Sequence, residues 1–588
     1  MSVNTELSEL FERMAAMMEL KGESAFKAIA FSKVARLLRD ATFDVAQAAR
    51  DGTLADIEGI GPSSRKIIEE YLATGKSSDV EQVAAQIPAG LLPMLEIPGL
   101  GPKTVRLLWQ ERGITSIDQL EKALADGSLA GLKGIGEKKL KAIADGLALR
   151  KASAGRVGIA EAEAIAGPML QRLLALPGVA QAEVAGSLRR RKETIGDVDL
   201  VCCLKPGHTD GHAVTAAFAA FPGVSKVLGQ GGTKASVLTD GGLQVDCRVV
   251  PAENFGAALM YFTGSKEHNV RCRALAQSRG MTLNEWGLFD ARAYDAAARE
   301  TGKPPDLAPV AAKTEQDIYR VLGLPWIPPE LREDRGEFDR PIPRLVTESD
   351  LKGDLHTHTT ASDGHNSIEE MAEAARALGY EYLAITDHSR SQAIANGLSI
   401  ERLLAHVEAV RAAGRRIKGI HLLAGSEVDI LADGSLDYPD EVLAQLDWVV
   451  ASPHVALKQD TEKATARIVR AIENPYVHVI GHPTGRLLGS REGLPLDFAR
   501  VIDAARSNGT ALEINAGYPR LDLSEVPARR AIEAGVWLCI NTDAHAVSGF
   551  AERRWGIGVA RRAWVEPKHV LNCLPWKQLQ AWSRRKRG

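Results

Sequence analysis

The first fifty residues place apolar side chains three or four positions apart, the spacing of one face of an α-helix. Further along, an apolar residue, a Gly-x-Gly turn and an apolar-periodic segment follow one another three times, beginning at Ile57, Ile97 and Leu132. Glycine at these turns lets the chain reverse tightly between two helices. The pattern predicts a helical N-terminal region with three helix-hairpin-helix units.

The central and C-terminal parts of the chain have different periodicities. Val198–Leu204 is apolar and β-branched, and Leu243–Val250 alternates between apolar and polar residues, so both segments are predicted strands. The stretch from Gly323 to Pro343 is rich in proline and charge, which is typical of a linker. From Leu351 onward, short apolar runs alternate with helical stretches, a pattern that predicts a barrel of parallel strands.

The composition narrows the class of protein. A chain of 588 residues exceeds what one hydrophobic core supports, so several domains are expected. No apolar run is long enough to span a membrane, and the N-terminus does not resemble a signal peptide. The net charge of −3 means that affinity for nucleic acid must come from local basic faces. Six cysteines without a CxxC pair suit a reducing cytosol, so we expect a cytoplasmic protein.

Two aspartates open the first predicted strand. Asp197 and Asp199 are two residues apart and therefore face the same way. Gly186 and Ser187 form a turn just upstream that can bind phosphate, and a run of arginines follows it. A neighbouring strand can bring Asp246 beside the pair, and three carboxylates can hold two divalent ions. The alternative is a polar strand edge with solvated aspartates.

The histidines point to a second metal site. Eleven of the fourteen lie at or after His356, and polar residues follow the predicted barrel strands at their carboxyl ends. Such ends carry the active sites of barrels, and nine candidate ligands exceed what one ion needs. The nitrogen and oxygen ligands suit two or three ions of Mn²⁺, Zn²⁺ or Fe. The candidate ligands are His356, His358, Asp363, His388, Glu427, His454, His482, Asp543 and His545. His365 lies close enough to Asp363 to be an alternative, and Asp387 is a candidate to orient His388.

The three hairpin repeats favour DNA binding. A Gly-x-Gly turn brings backbone N–H groups to the surface at a helix N-terminus, where they can hold a DNA phosphate. Lysines in the second and third repeats can add charge. The alternative is that all three are structural αα-hairpins. The candidate DNA contacts are Gly59, Gly61, Gly99, Gly101, Lys103, Gly134, Gly136 and Lys138.

The order of these motifs resembles a family X DNA polymerase, such as DNA polymerase beta, over roughly residues 1–325. The resemblance rests on the hairpin repeats, GSLRRR…GDVDL, LQVDCRVV, YFTGSKEHN and LNEWGLF. It implies that Asp197, Asp199 and Asp246 are catalytic, with Mg²⁺ or Mn²⁺ as cofactor. It also implies contacts to the incoming nucleotide by Gly186, Ser187, Arg190, Tyr261, Phe262, Gly264, Asn269 and Arg273.

Two positions depart from that family. Ile67 stands where DNA polymerase beta has the lysine of its 5′-deoxyribose phosphate lyase, and Lys66 is one residue away. We therefore do not expect lyase activity by that route. Ile159 stands near the place of a second triphosphate-binding arginine, so nucleotide affinity is expected either to be weaker or to depend on other residues.

Residues 349–575 resemble the PHP domain (polymerase and histidinol phosphatase), and each ligand position of that domain finds a competent residue here. In a chain that also carries a polymerase, the resemblance implies metal-dependent 3′–5′ exonuclease activity. Activity as a 3′-phosphatase or an abasic-site endonuclease is compatible with the same resemblance. Arg486, after Gly-His-Pro, is a candidate phosphate contact.

Together these inferences predict a multidomain protein: helical helix-hairpin-helix regions, an α+β nucleotidyltransferase palm and thumb, and a distorted TIM-like α/β PHP barrel. The predicted boundaries are 1–85 and 86–152 for the helical domains, 153–260 for the palm, 261–325 for the thumb-like subdomain, 326–348 for the linker and 349–588 for the PHP domain.

The predicted function is gap filling in DNA repair, base excision repair in particular, by a monomer that binds gapped or nicked duplex DNA and deoxynucleoside triphosphates. The first alternative is a DNA 3′-end phosphoesterase whose polymerase half only binds DNA. A non-catalytic DNA-end-binding module is a second. A small-molecule phosphatase is disfavoured, because the hairpin repeats would then have no role.

Overall fold

The computed structural model describes residues 3–22, 25–39, 45–57, 59–95, 97, 100–129, 132, 134–136, 139–144, 147, 155–208, 210–301 and 307–586. Contacts divide the chain into one unit of residues 1–154 with 489–491, and a second of residues 155–488 and 492–588. No helix among the described residues is long and apolar enough to cross a membrane.

The N-terminal unit is helical in the described residues. The helices with described bounds are α1 (Val3–Lys21), α2 (Ala25–Arg39), α3 (Val45–Arg50), α4 (Pro62–Thr74), α5 (Ser78–Ala84), α6 (Leu91–Leu95), α7 (Pro102–Arg112) and α8 (Ile117–Ala125). Gly61 and Gly101 precede α4 and α7, and each helix begins at a proline, whose fixed φ suits the first helical position. The apolar faces meet in one core, as the helical spacing predicts.

The palm is a five-stranded sheet with the strand order β2-β4-β7-β6-β5. The β4–β7 pair is parallel and its other pairs are antiparallel. A separate antiparallel pair, β1 and β3, lies beside α9. The palm contains β1 (Val157–Gly158), α9 (Ile159–Leu174), β2 (Val179–Val184), α10 (Gly186–Arg189), β3 (Thr194–Ile195), β4 (Asp197–Leu204), α11 (Gly211–Ala219), β5 (Val224–Gln230), β6 (Lys234–Thr239) and β7 (Gln244–Val250).

The thumb-like region combines helices with a β8–β9 hairpin. It contains α12 (Phe255–Thr263), α13 (Lys266–Ser278), β8 (Met281–Asn284), β9 (Gly287–Asp290), α14 (Ala291–Thr301) and α15 (Glu315–Val321). The following segment, residues 326–348, contributes Ile327, Leu331 and Leu345 to the thumb core. The predicted linker is therefore a packed part of the fold.

The C-terminal region is a seven-stranded parallel sheet whose strands follow chain order, β10 to β16. A parallel bridge between Thr357 and Ala544 joins the two ends of the sheet, so the sheet closes into a barrel as predicted. Its strands are β10 (Gly353–Asp354), β11 (Tyr382–Ile385), β12 (His421–Asp429), β13 (Trp448–Ser452), β14 (Val479–Ile480), β15 (Ala511–Asn515) and β16 (Leu538–Asn541). Its helices are α16 (Ile368–Ala377), α17 (Ile400–Arg416), α18 (Asp440–Leu443), α19 (Thr461–Glu473), α20 (Phe498–Asn508), α21 (Glu525–Glu533), α22 (Arg553–Arg562) and α23 (Trp576–Lys586).

A buried ion cluster joins the thumb to the segment that follows it. Glu315 at the start of α15 lies 2.6 Å from Arg332 Nη1 and 2.7 Å from Arg189 Nη1. Arg332 is fully buried. Burial alone would raise the pKa of Glu315, but Arg332 and Arg189 lower it to about 2. The carboxylate is therefore the countercharge that keeps Arg332 in the interior.

The substitution Glu315→Gln is expected to destabilise this region by about 3–5 kcal/mol, because Arg332 would stay buried without its countercharge. Glu315 titrates at 4.5 ordinarily and at about 2 when folded. The contribution of this carboxylate to the free energy of unfolding is therefore complete above pH 4.5 and is lost as the pH falls toward 2. The Glu315→Gln variant lacks the carboxylate and should lose less stability over that interval. Thermal and urea denaturation at several pH values measure both effects. The control Glu348→Gln, at a half-exposed pair with Arg553, should cost under about 1 kcal/mol.

Candidate active sites

The first site lies where β4 and β7 run parallel. Their register places Asp199 directly beside Asp246, and Asp197 stands two residues before Asp199 on the same strand. Burial raises the pKa of Asp199 to about 7, and the charges of Asp197 and Asp246 add to the rise. Asp246 is held by Lys234 Nζ at 2.6 Å and by Gln244 Nε2 at 2.9 Å. A carboxylate that resists ionisation because two others crowd it fits a divalent cation, which would remove the repulsion.

A cavity of about 610 Å³ opens beside these aspartates. Its lining contains Asp197 and Asp199 together with every predicted nucleotide contact: Gly186, Ser187, Arg190, Tyr261, Phe262, Gly264, Asn269 and Arg273. Asp246 is not part of the lining. The fold thus brings residues from two distant stretches of sequence, on either side of β7, around one polar space.

Three basic residues in the lining were not predicted from sequence: Arg156, Lys192 and Lys266. Arg156 precedes β1 and is held by Thr194, whose Oγ1 accepts from Arg156 Nε at 3.1 Å. Arg156 supplies a guanidinium to the cavity, although Ile159 stands near the place where the family has its second triphosphate-binding arginine. Only the β1–β3 pairing brings it there, so sequence position gave no signal.

Gly186 sits where no other residue fits. Its φ is +62°, and a Cβ atom added there would lie 2.5 Å from Asp199 Oδ2. The glycine is therefore required both by the backbone conformation and by the closeness of the carboxylate. It allows α10, which carries Ser187 and ends just before Arg190, to begin directly over the aspartates.

We expect Gly186→Ala to lower nucleotide incorporation at least about tenfold, because a Cβ would displace Asp199 and oppose the positive φ. Hydrolysis in the barrel should not change. The measurement is single-nucleotide incorporation next to 3′-end hydrolysis with the same protein. Gly167→Ala is the matched control, because a Cβ on this helical glycine of α9 would meet nothing within 4 Å. Equal incorporation by the two variants would contradict the role of Gly186.

The described glycines of the hairpin repeats occupy equivalent positions. Gly59 and Gly134 have φ of +97° and +95°, and Gly61, Gly101 and Gly136 follow one residue after a buried apolar side chain. All five glycines are exposed, as is Lys103. Gly99 and Lys138 lie outside the described residues. Exposed turns of this kind at the start of a helix present N–H groups to solvent, as the anion-binding interpretation requires.

The first hairpin offers no lysine at the lyase position. Ile67 is buried in the helical core. Lys66 is exposed, and its Nζ lies 2.8 Å from Asp79 Oδ1.

The second site lies at the carboxyl ends of the barrel strands, as predicted. His356 and His358 follow β10, His388 follows β11, and Glu427 is on β12 near its end. The remaining candidates follow β13, β14 and β16 or lie in the loop after β10: His454, His482, Asp543, His545 and Asp363. Within the described residues, three groups of converging ligand atoms form here, and they contain every predicted ligand except His482.

Glu427 is the centre of the cluster. Its carboxylate oxygens lie between 2.8 and 3.6 Å from a ring nitrogen of each of five histidines: His356, His358, His388, His454 and His482. His482 therefore belongs to the cluster through Glu427 Oε1, at 2.9 Å. Burial alone would raise the pKa of Glu427, but the histidines hold it well below its ordinary value.

Several of these polar atoms are buried and make no hydrogen bond. They are His356 Nε2, both ring nitrogens of His358, His388 Nδ1, Glu427 Oε2, His482 Nδ1 and Asp543 Oδ1. His388 Nδ1 and Glu427 Oε2 are only 2.8 Å apart. Buried polar atoms that make no hydrogen bond are costly even where an opposite charge lies close, and divalent cations would satisfy them. The residues therefore fit a metal cluster.

The sequence missed two carboxylates that orient the histidines. Glu513 Oε1 lies 2.8 Å from His356 Nδ1, and Asp429 Oδ1 lies 2.6 Å from His454 Nδ1. Glu513 lies in the middle of β15 and Asp429 is the last residue of β12, and both are fully buried. A charged residue in an otherwise apolar strand was the available signal. Binding one ring nitrogen leaves the other, Nε2, directed toward Glu427.

Two sequence-based expectations about supporting residues are wrong. Asp387 does not orient His388; its carboxylate instead lies 2.8 Å from His406 Nε2 and accepts from Ser362 and Thr359. Arg486 does not face a phosphate site, because both of its terminal nitrogens bind Glu193 of the palm. The choice between Asp363 and His365 falls on Asp363, which lies near His388 and His545.

Family models match four stretches of the chain. A helix-hairpin-helix domain matches residues 2–77, and a SAM-like helix-hairpin-helix tandem matches residues 91–150. The DNA polymerase beta thumb matches residues 258–333, and the PHP domain matches residues 354–516. The fold and the two sites thus define a family X polymerase joined to a PHP domain.

Known relatives agree with this class. DNA polymerase/3′-5′ exonuclease PolX of Bacillus subtilis (strain 168) is 37% identical over 585 residues, 99% of each chain. The present chain belongs to this PolX family. DNA polymerase lambda of Rattus norvegicus is 27% identical over 56% of each chain. A probable phosphatase of Thermoanaerobacter sp. (strain X514) is 32% identical over 37% of this chain and 89% of its own.

Proposed function

We propose that this protein is a DNA-directed DNA polymerase that extends 3′-ends at the carboxylate site and hydrolyses them at the histidine cluster. Membership of the PolX family supports both activities. The observation that carries the proposal is the shared cavity: the aspartates of β4 and eight predicted nucleotide contacts line one space.

At the carboxylate site, divalent cations such as Mg²⁺ or Mn²⁺, when bound, would neutralise the triphosphate and activate the primer 3′-hydroxyl. Asp197, Asp199 and Asp246 would hold them. The residues of the chain do the positioning. Ser187 and Arg190 would bind triphosphate oxygens, with Arg156 and Lys192 adding charge. Tyr261 and Phe262 would pack against the sugar and base.

At the histidine cluster, divalent cations, when bound, would polarise the phosphodiester and activate water for attack. The mixed imidazole and carboxylate donors suit two or three ions of Mn²⁺, Zn²⁺ or Fe. The nine predicted ligands would hold them, and Glu427, which contacts five of the histidines, would be the central carboxylate of the set. Glu513 and Asp429 would keep His356 and His454 oriented with Nε2 toward the ions.

The hairpin repeats would bind the DNA backbone irrespective of sequence, since exposed N–H groups at helix starts fit phosphate. Together with a nucleotide site, such binding favours action on short gaps or nicks in duplex DNA, as in repair. Trimming of the 3′-end by the barrel would prepare or correct the terminus that the palm extends.

The alternative is a 3′-end phosphoesterase whose polymerase half only binds DNA. It predicts no use for the nucleotide cavity and its aspartates. The family and the intact cavity favour the polymerase.

A gapped-substrate assay tests the proposal. A 5′-labelled primer is placed before a one-nucleotide gap, before a longer gap and on an open template, with Mg²⁺ or Mn²⁺ and one nucleotide triphosphate at a time. We expect template-directed extension, most efficient in the gaps, and shortening of the primer when nucleotides are withheld. Shortening without extension on every substrate would support the phosphoesterase alternative.

A further inference from the structure

Hydrogen-bond donors on side chains of the barrel reach into the palm beside the nucleotide cavity. Arg486 binds Glu193 of the palm, and Trp555 Nε1 donates to Glu163 of α9 at 2.9 Å. The most deeply placed of these contacts is made by Arg562, the last residue of α22, whose side chain is 1% exposed. A buried arginine is costly unless its charge is compensated, so the partners of Arg562 are informative, although its Nε makes no hydrogen bond.

Arg562 holds three acceptors from three parts of the chain. Its Nη1 donates to the main-chain oxygen of Arg190 at 2.9 Å and lies 3.0 Å from Glu333 Oε1. Its Nη2 donates to Glu525 of the barrel at 3.0 Å. The fork of the guanidinium therefore links the palm, the segment 326–348 and α21.

The same Glu333 oxygen also binds the side chain of Arg190. Arg190 Nε lies 3.0 Å from Glu333 Oε1, and Arg190 Nη1 donates to the main-chain oxygen of Thr263 at 2.5 Å. Arg190 lines the nucleotide cavity, whereas Arg562 does not. Arg562 thus fixes Arg190 twice, at its main chain and through the carboxylate that aligns its guanidinium.

We propose that Arg562, a residue of the PHP domain, is a positioning residue for the nucleotide triphosphate in the polymerase site: through Glu333 and the main chain of Arg190 it sets the guanidinium that faces the phosphates. The inference rests on the proposed function of the palm. It assigns the barrel a second task that is independent of the histidine cluster.

The charge balance supports this task. Arg190, Arg562, Lys192 and Arg335 surround Glu333 and Glu525, which leaves an excess of positive charge in this cluster. Burial and the charge of Arg562 lower the pKa of Lys192. An arriving triphosphate would supply the missing negative charge, so the cluster is complementary to it without Arg562 touching it.

The test is steady-state incorporation on gapped DNA by the full chain carrying Arg562→Gln. Glutamine can still donate one hydrogen bond but loses the fork and the charge. We expect the KM for the nucleotide to rise about tenfold, because one coupling between contacting charges is lost. The kcat should change by less than about twofold. Inhibition by inorganic tripolyphosphate should weaken by the same factor, because the phosphates are the only part that this probe has in common with the nucleotide. Combining Arg562→Gln with Arg190→Gln should raise KM no further than Arg190→Gln alone.

Arg561→Gln is the matched control. Arg561 is the preceding residue of α22 and binds Glu330 of the same segment at 2.7 Å, without contacting Arg190. A merely structural role predicts that both variants lower melting temperature, kcat and 3′-end hydrolysis together, and that result would overturn the proposal. So would an unchanged KM in Arg562→Gln while the wild type incorporates normally. If Arg562→Gln does not fold, Arg562→Lys is judged by the same criteria. A wild type that incorporates no nucleotide would instead reject the proposed function itself.

Discussion

Replacing Asp197 and Asp199 together by asparagine is expected to lower nucleotide incorporation at least about a thousandfold, the loss of several kcal/mol of transition-state stabilisation. The pKa of Asp199 is already raised to about 7 by burial and by its two acidic neighbours, so Asp199 depends on a cation to ionise fully. Asparagine keeps the shape of the site but removes the charge that would bind that cation. Rapid mixing of enzyme, gapped DNA and one nucleotide measures the rate.

The matched control for this prediction is Asp240→Asn. Asp240 is an exposed aspartate of the same sheet, in the turn after β6. The Asp240→Asn variant should incorporate nucleotides at the wild-type rate. Incorporation within tenfold of the wild type by the double variant would remove these aspartates from the catalytic assignment, provided that the protein preparation is free of other polymerases.

Replacing Glu427 by glutamine is expected to lower 3′-end hydrolysis at least about a hundredfold and to reduce the number of divalent ions bound per chain. The carboxylate contacts five histidines, and an amide of the same shape offers one neutral oxygen. The histidines would lose the charge that compensates their burial. Release of the 3′-nucleotide and elemental analysis of the purified protein measure the two losses separately.

Glu408→Gln on α17 is the matched control, since its side chain is 68% exposed and pairs only with Arg411 at 3.5 Å among the described contacts. Hydrolysis by Glu427→Gln at the wild-type rate with a full metal content would contradict the assignment of the cluster. A loss of incorporation in the same variant would mean that the substitution disturbs the whole second unit.

The sequence predicted those features that depend on local pattern. The Gly-x-Gly turns, the alternation of LQVDCRVV and the β–α repetition after Leu351 each determine a local element, and those elements form where predicted. The histidines were found because a parallel barrel gathers the carboxyl ends of its strands, so that position along a strand determines position in the site.

Features that depend on contacts between distant segments escaped prediction. Glu513 reaches His356 from 157 residues away, and Arg562 reaches Arg190 from 372 residues away. Asp387 directly precedes His388, but successive residues of an extended segment point in opposite directions, so Asp387 binds His406 of α17 instead. Segment 326–348 has the composition of a linker, yet it is packed because Arg332 and Glu337 find buried partners in the thumb.

The central claim is that one chain carries two separate centres that act in opposite directions on a DNA 3′-end. The most direct measurement follows a 5′-labelled primer in gapped DNA, with nucleotides present, through one time course for the wild type, Asp197→Asn/Asp199→Asn and Glu427→Gln. The account predicts both lengthened and shortened primers with the wild type, only shortened primers with the first variant, and only lengthened primers with the second. Loss of both products in either folded variant, or the reverse assignment, would contradict it.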